Sequence, residues 1–296
     1  MKKRVIIDTD PGLDDAVAIL FALATGKFDV LGLTTLAGNI GLQRTTTNAG
    51  SLLTVLGRTD IPVISGAATA LLRSNIDAID VHGDDGLGGV TLPAPLVPHQ
   101  ADAVAWLART LLAAPSGSID VLALGPLTNI AQLIDGYPEA AARIGHLIAM
   151  GGTIDEPGNA GPRSEFNFAS DPEATAIVLR SEIRITVVPL DVTRKVRVDR
   201  DHVEALRGSP AGDITAQILL AYLQDDRRSR PLHDPCVVLL ALAPDLFETE
   251  RYRLSVDLGH RGEAGSLLKS DSGSPVDVAM RVDLAGVLSL LASAFR

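Results

Sequence analysis

Short β-branched runs recur along the first 190 residues, each followed by a longer segment with helical spacing. The runs fall at residues 4–8, 30–35, 62–65, 119–124, 146–150 and 183–189, and the helical segments at 14–24, 42–57, 102–114, 127–137 and 171–180. Several of these segments open near Asp or Thr and close on Gly or Pro, residues that cap and end helices. Strand-then-helix alternation predicts an α/β fold, an open and mainly parallel sheet flanked by helices. In such sheets ligands bind at the carboxyl ends of the strands, so a site is expected there.

Two stretches break the rhythm. Residues 66–100 are rich in Gly, Pro and Asp, and 151–170 hold Gly151, Gly152, Pro157, Gly158, Gly161 and Pro162 without clear periodicity. Long loops inside a compact domain are more often functional than idle. Beyond residue 190 the pattern predicts helix across 199–243, a β-rich tail over 251–280 and a closing helix. No internal repeat, low-complexity tract or linker interrupts the chain, so residues 1–296 are expected to form one domain.

Composition narrows the function classes. With 46% hydrophobic and 21% charged residues in 296, the chain has enough apolar surface for a large core, which excludes a disordered protein. A net charge of -10 is a poor match for a nucleic acid polymer. The apolar stretches at 16–24 and 236–243 fall short of the ~20 residues that span a bilayer, so no membrane partner is expected. The basic Lys2, Lys3 and Arg4 precede only Val5, Ile6 and Ile7 before Asp8, too short an apolar run for a secretory signal. The one cysteine, Cys236, can form no intramolecular disulfide and is expected as a buried thiol in a reducing, cytoplasmic setting. The only tryptophan, Trp106, is expected in the core.

The densest chemistry lies where the first strand hands over to the first helix, in Asp8-Thr9-Asp10-Pro11-Gly12-Leu13-Asp14-Asp15-Ala16. Pro11-Gly12 forces a tight turn, so Asp10 at the strand end and Asp14 and Asp15 in the first helical turn can converge. Clustered carboxylates repel one another unless a cation or bound protons compensate. Helix capping would account for Asp14 or Asp15. It does not account for Asp8 and Asp10 at the end of a buried strand. An all-oxygen ligand set favours Ca²⁺ or Mg²⁺ over zinc.

This segment resembles the signature of the inosine-uridine preferring nucleoside hydrolases, which cut the N-glycosidic bond of ribonucleosides with a tightly bound Ca²⁺. Four further segments match in order: Ala37-Gly38-Asn39, then Ala123-Leu124-Gly125-Pro126-Leu127-Thr128-Asn129, then Glu165-Phe166-Asn167 with Asp171-Pro172-Glu173-Ala174, and His233-Asp234-Pro235. Together they span residues 8–235, nearly the whole chain.

The resemblance implies a Rossmann-like nucleoside hydrolase fold, small-molecule ribonucleosides as substrates, a role in nucleoside salvage or catabolism, and a homodimer or homotetramer. It makes Asp10, Asp15, Asp234 and the backbone carbonyl of Leu124 the Ca²⁺ ligands, with Asp10 also taking the proton of the attacking water. It makes Asp14 and Asn39 ribose-hydroxyl ligands, with Asn159, Glu165 and Asn167 gripping the sugar from the other side. Local sequence alone reads Asn159 equally well as part of a Gly-Asn turn, and the Leu124 side chain as an ordinary buried strand residue. The i, i+2 spacing puts Glu165 and Asn167 on one face of an extended segment and Phe166 on the other, as core or as a base-stacking ring. His233 matches the family's leaving-group acid, and His82 resembles its second histidine at the base end. Asp84 and Asp85 either orient His82 or keep its loop solvated.

Purine-specific members of the family sandwich the base between tryptophans, and this chain has none near His82 or beyond residue 106. Pyrimidine or broad nucleoside specificity is therefore expected. Tyr222 and the segment Arg227 to Arg230 are expected in a helical flap over the base. Three rival readings explain less. Asp8-Thr9-Asp10 also resembles the nucleophile loop of Mg²⁺-dependent dehalogenase-type phosphatases, but Gly12 stands where that loop carries Thr or Val. A nucleoside phosphorylase needs a Gly-rich phosphate cradle or clustered Arg near the motifs, and a non-catalytic binder has no use for both Asp10 and His233.

Overall fold

The computed structural model describes residues 2–96, 98–224, 228–259 and 263–295. Its strands are β1 (Lys3–Thr9), β2 (Phe28–Thr35), β3 (Val63–Ser65), β4 (Gln100–Ala101), β5 (Ile119–Ala123), β6 (Ile144–Met150), β7 (Ile185–Val188), β8 (Arg197–Val198), β9 (Arg230–Pro231), β10 (Phe247–Val256), β11 (Leu267–Lys269) and β12 (Ser274–Val282). Ten of them form one sheet in the order β11-β10-β12-β7-β6-β5-β1-β2-β3-β4. All pairs from β12 to β4 are parallel, and β10 joins β12 and β11 antiparallel.

Sheet burial follows directly from the pleat. In β1, Val5 and Ile7 pack with the helix Leu13–Ala24 on one face, while Ile6 packs with helices Ala103–Ala113 and Thr128–Gly136 on the other. A strand covered on both faces reads as the continuous apolar run Val5-Ile6-Ile7 rather than as an alternating one. Strand β1 is also the switch point: the chain winds outward through β2, β3 and β4 on one side and through β5, β6 and β7 on the other. The crevice that opens at such a point lies beyond the strand carboxyl ends, where Asp10 and Leu124 follow β1 and β5.

The predicted parallel sheet and its strands stand, with differences that have physical causes. Strand β4 begins at the last residue of the stretch 66–100 and was not expected, because its two exposed edge residues carry no hydrophobic signal. The helical region expected across 199–243 consists of three helices, Arg200–Glu204, Pro210–Leu223 and Pro235–Leu242. Pro210 and Pro235 each begin a helix, and Arg230–Pro231 leaves the helical path to pair antiparallel with Arg197–Val198. Trp106 is half-buried against the sheet rather than fully in the core, its ring seated on Gly32, where a Cβ would come within 2.6 Å of it. Cys236 is buried as expected, donates to the Leu232 carbonyl at 3.0 Å, and burial pushes its thiol up.

The irregular stretch after β3 is tied down at its start. Arg73 pairs with Glu173 at 2.7 Å and donates to the Leu258 carbonyl at 2.6 Å, and the Leu71 amide donates to buried Asp171 at 2.9 Å. Among the described residues no helix is long and apolar enough to cross a membrane.

Candidate active site

The turn after β1 buries its carboxylates because the backbone around them supplies donors. Asp15 sits at the third position of the helix Leu13–Ala24 and reaches back to the Gly12 amide at 3.0 Å, while Thr9 Oγ1 donates to it at 2.6 Å and Asn39 Nδ2 at 2.9 Å. Asp10 Oδ2 accepts the Asn39 amide at 2.7 Å. Asp10 Oδ1 is buried without a hydrogen-bond partner. Two glycines wall this carboxyl in: a Cβ on Gly38 would stand 2.1 Å from Asp10 Oδ2, and one on Gly125 would stand 2.2 Å from Asp10 Oδ1.

Asp14, Asp15 and Asp234 bring carboxylate oxygens within 4.8 Å of one another. Asp234 arrives from the start of the helix Pro235–Leu242, whose N-cap it is. Asp10 is not in that triplet, although its charge and those of Asp14 and Asp15 all act on Asp234. Burial first, then mutual repulsion, pushes Asp10 and Asp234 well above the usual carboxylate range and Asp14 up to about 7. A set of converging carboxylates with an orphaned buried oxygen fits a hard divalent cation. Asp8 lies one step behind, held by Thr34 at 2.5 Å and Asn129 at 2.8 Å, with burial raising it to about 6. Asn129, the last residue of the third matched segment, thus positions the cluster without facing the cavity.

Above the cluster opens a cavity of about 520 Å³. Asp14, Asn39, Leu124, Asn159, Glu165, Phe166, Asn167, His82, His233 and Asp234 all line it, so the sequence-assigned residues converge on one space. Asp10 and Asp15 are fully buried beneath them.

The segment around Glu165 is not extended. Residues Phe166–Ser170 form a helical turn capped by the Glu165 carboxylate, which accepts the amides of Asn167 at 2.9 Å, Phe168 at 3.1 Å and Gly152 at 2.9 Å. Capping overrides the extended conformation expected from the i, i+2 spacing of Glu165 and Asn167. Phe168 is the buried core ring, and half-buried Phe166 lines the cavity together with Glu165 and Asn167. Burial raises Glu165 to about 7 despite its three donors. Asn167 Nδ2 bridges the ends of β5 and β6, donating to the Leu124 carbonyl at 2.7 Å and the Met150 carbonyl at 3.2 Å. Exposed Asn159 accepts the Phe166 amide at 2.8 Å, and Arg194 holds the same loop through the Pro157 and Gly158 carbonyls.

His82 lies in a short helical turn, Ile79–His82, and is buried. Its Nδ1 accepts the Leu13 amide at 3.0 Å, the first free N–H of the helix Leu13–Ala24, so its own proton sits on Nε2. Gly12 lets the ring approach: a Cβ there would stand 2.6 Å from Nδ1. Burial lowers His82 to about 4, with Arg230 adding to the effect and Asp15 opposing it. His233 Nδ1 meets Thr193 Oγ1 at 2.8 Å, and burial lowers it to about 3. Asp85 binds the Leu87 and Gly89 amides, so its carboxylate organises the loop after His82.

Tyr222 stacks on His82 with ring centroids 6.4 Å apart and planes 10° from parallel. Arg230 is buried, donates from Nε to the Tyr222 carbonyl at 2.7 Å, and lies 4.8 Å from the ring centroid. Arg227 lies outside the described residues. Thr193 is the positioning residue that sequence reading missed, since no local pattern links it to a histidine 40 positions away. Ile76 and Val81, exposed apolar residues at the cavity rim, also went unread inside the irregular stretch.

Comparison with known proteins agrees with this arrangement. Residues 5–289 match the family described as Inosine-uridine preferring nucleoside hydrolase. The chain is 41% identical over 258 residues to the pyrimidine-specific ribonucleoside hydrolase RihA of Citrobacter koseri, covering 84% of this chain and 82% of that one. It is 37% identical to the RihA of Shigella boydii over 99% of this chain and 98% of that one. Among solved structures it resembles a plant nucleoside hydrolase with a TM-score of 0.92 and 34% identity, over 100% of this chain and 99% of that one. A purine-preferring ribonucleoside hydrolase from Gardnerella vaginalis superposes with a TM-score of 0.91 at 27% identity, over 99% and 98%. The matched motifs, the parallel sheet and the carboxylate-lined crevice have one explanation: the chain belongs to the inosine-uridine preferring nucleoside hydrolase family, enzymes that hydrolyse the N-glycosidic bond of nucleosides.

Proposed function

We propose that this enzyme hydrolyses pyrimidine ribonucleosides to free base and ribose, with Ca²⁺ as its cofactor. The observation that carries the reading is the buried Asp14, Asp15 and Asp234 triplet, of which Asp14 and Asp234 line the same cavity as His82, His233 and Tyr222. Two relatives named pyrimidine-specific support the base preference, as does a cavity lined by Tyr222 and Phe166 and, among the described residues, by no tryptophan.

Asp10, Asp15, Asp234 and the Leu124 carbonyl would hold the cation, with Asp14 close enough to contribute. Bound Ca²⁺ would acidify a coordinated water and orient the ribose hydroxyls. Asp10, immobilised by the Asn39 amide and two glycines, accepts the proton of the attacking water. Asp14, Asn39, Asn159, Glu165 and Asn167 grip the ribose, and their carboxylates favour the positive charge that develops on the sugar. Phe166 offers its ring to substrate from the cavity wall. His82 and His233 activate the departing base. The Leu13 amide holds His82 Nδ1 as an acceptor, which leaves Nε2–H to donate.

The chain acts as a single domain spanning residues 1–296, in the cytoplasm, as a homodimer or homotetramer. Ribose release from uridine, cytidine, inosine and adenosine in phosphate-free buffer with Ca²⁺ tests the reading, with Asp10→Ala as control. Release from uridine and cytidine above the purine ribosides, absent in the variant and after chelation, is the expected result. Equal turnover of purine ribosides refutes the base preference. A strict need for phosphate refutes hydrolysis.

A further inference from the structure

The reaction separates charge. The C1′–N1 bond breaks with its electron pair leaving on the base; the ribosyl group gains positive charge until water adds at C1′ and gives up a proton. A departing uracil or cytosine spreads its negative charge from N1 onto the adjacent carbonyl oxygen O2 until it takes a proton from solvent. Carboxylates serve the sugar but oppose the base, which needs a cation or a donor at its own end.

Among the described residues lining the cavity, which include Asp14, Glu165 and Asp234, one Lys or Arg side chain is present, that of Arg230. Its placement is built rather than incidental. Antiparallel pairing of Arg230–Pro231 with Arg197–Val198 brings it beside the cavity, three residues before His233. The Tyr222 carbonyl holds Nε at 2.7 Å, and the guanidinium lies over the Tyr222 ring, which in turn stacks on His82. Arg230, Tyr222 and His82 all line the pocket.

We propose that Arg230 is a catalytic residue, its guanidinium stabilising the negative charge that develops on the carbonyl oxygen O2 of the departing pyrimidine. This rests on the nucleoside hydrolase reading above and extends it to how the base leaves. A guanidinium remains charged at any working pH and presents several N–H donors, so it stabilises an anion without transferring a proton. A purine leaving from N9 has no carbonyl oxygen next to the broken bond, so the same cation favours pyrimidine substrates.

The test compares Arg230→Met and Arg230→Lys with the wild type on uridine, 5-fluorouridine and p-nitrophenyl riboside, with Ca²⁺ present and folding checked by melting temperature. Arg230→Met is expected to lower kcat on uridine about 10²-fold, in line with loss of one preorganised anion stabiliser. The loss should shrink on 5-fluorouridine, whose base leaves more readily, and nearly vanish on p-nitrophenyl riboside. Arg230→Lys, which keeps the charge, should recover part of the uridine rate. An equal loss on all three substrates would make Arg230 merely a prop for Tyr222 and overturn the proposal, as would an unchanged uridine rate. A wild-type enzyme inactive on uridine would overturn the proposed function itself, and this role with it.

Discussion

Replacing Gly125 with alanine should disable the enzyme while leaving it folded. Gly125 has a backbone conformation open to L-residues, so the substitution introduces no φ penalty, but its Cβ would stand 2.2 Å from Asp10 Oδ1 and 2.8 Å from Asp10 Cγ. An ordinary carbon–oxygen contact is about 3.3 Å, so the carboxyl must retreat by about 1 Å. Retreat in the opposite direction is closed by Gly38, whose Cα side already faces Oδ2, and by the Asn39 amide bond of 2.7 Å. A displacement of that size at the group proposed to accept the water's proton should cost roughly 10²-fold in rate. Overpacking of this kind costs about 1–3 kcal/mol of stability, little enough to leave a folded chain. Ribose release from uridine at saturating substrate reads kcat, and circular dichroism melting reads the fold. A folded Gly125→Ala enzyme with wild-type kcat would refute both the cage around Asp10 and its role as base.

Chelation of divalent cations should abolish ribose release and lower the melting temperature. Ca²⁺ at a hundred times its Kd adds about 2.7 kcal/mol, and Asp234→Asn should lose most of that gain. Thr193→Val removes the partner of His233 Nδ1, so kcat on uridine should fall about 10-fold while p-nitrophenyl riboside, with its better leaving group, is spared; parallel losses on both would remove the link to the base. Glu165 gives a pH signature. Its folded pKa of about 7 lies above the ordinary 4.5, so the folded protein binds the extra proton, and stability falls as pH rises from about 4.5 to about 7. The full effect is about 3 kcal/mol, and metal-free Glu165→Gln should flatten that slope in urea unfolding at pH 5 and pH 8; an unchanged slope refutes the assignment.

Much of the sheet was legible because parallel strands covered on both faces carry short continuous apolar runs, such as Val5-Ile6-Ile7 in β1, Val121-Leu122-Ala123 in β5 and Leu147-Ile148-Ala149-Met150 in β6. The short pairings were not. Strands β4, β8 and β9 have two residues each, and their partners are fixed by where the chain is returned rather than by their own side chains. Local pattern also misled at Glu165, where i, i+2 spacing suggested an extended segment and a buried carboxylate capping the Asn167 and Phe168 amides made a helical turn. The candidate site divides the same way. Asp10, Asp14 and Asp15 stand in a dense local motif that chemistry alone flags and Asn39 was reached through the family resemblance, whereas Thr193 and Arg230 are tied to the site through a side chain 40 positions away and a helix carbonyl that no local pattern announces.

Three of the matched segments turn out to answer one physical requirement. A carboxylate that is to act as a base must be buried to strengthen its pull on a proton, and it must be held still, because a mobile carboxylate would reorganise during the reaction. Burial alone would favour the protonated acid, so the fold supplies one amide donor from Asn39 and leaves Oδ1 without any. Close walls then replace hydrogen bonds as the restraint. Only glycine lets backbone approach the carboxylate on both sides, which is why Ala37-Gly38-Asn39 and Leu124-Gly125-Pro126 can close on Asp10 though they lie far apart along the chain. The motifs are the walls and the occupant of a single cage, and a change in any wall should be felt at the same proton.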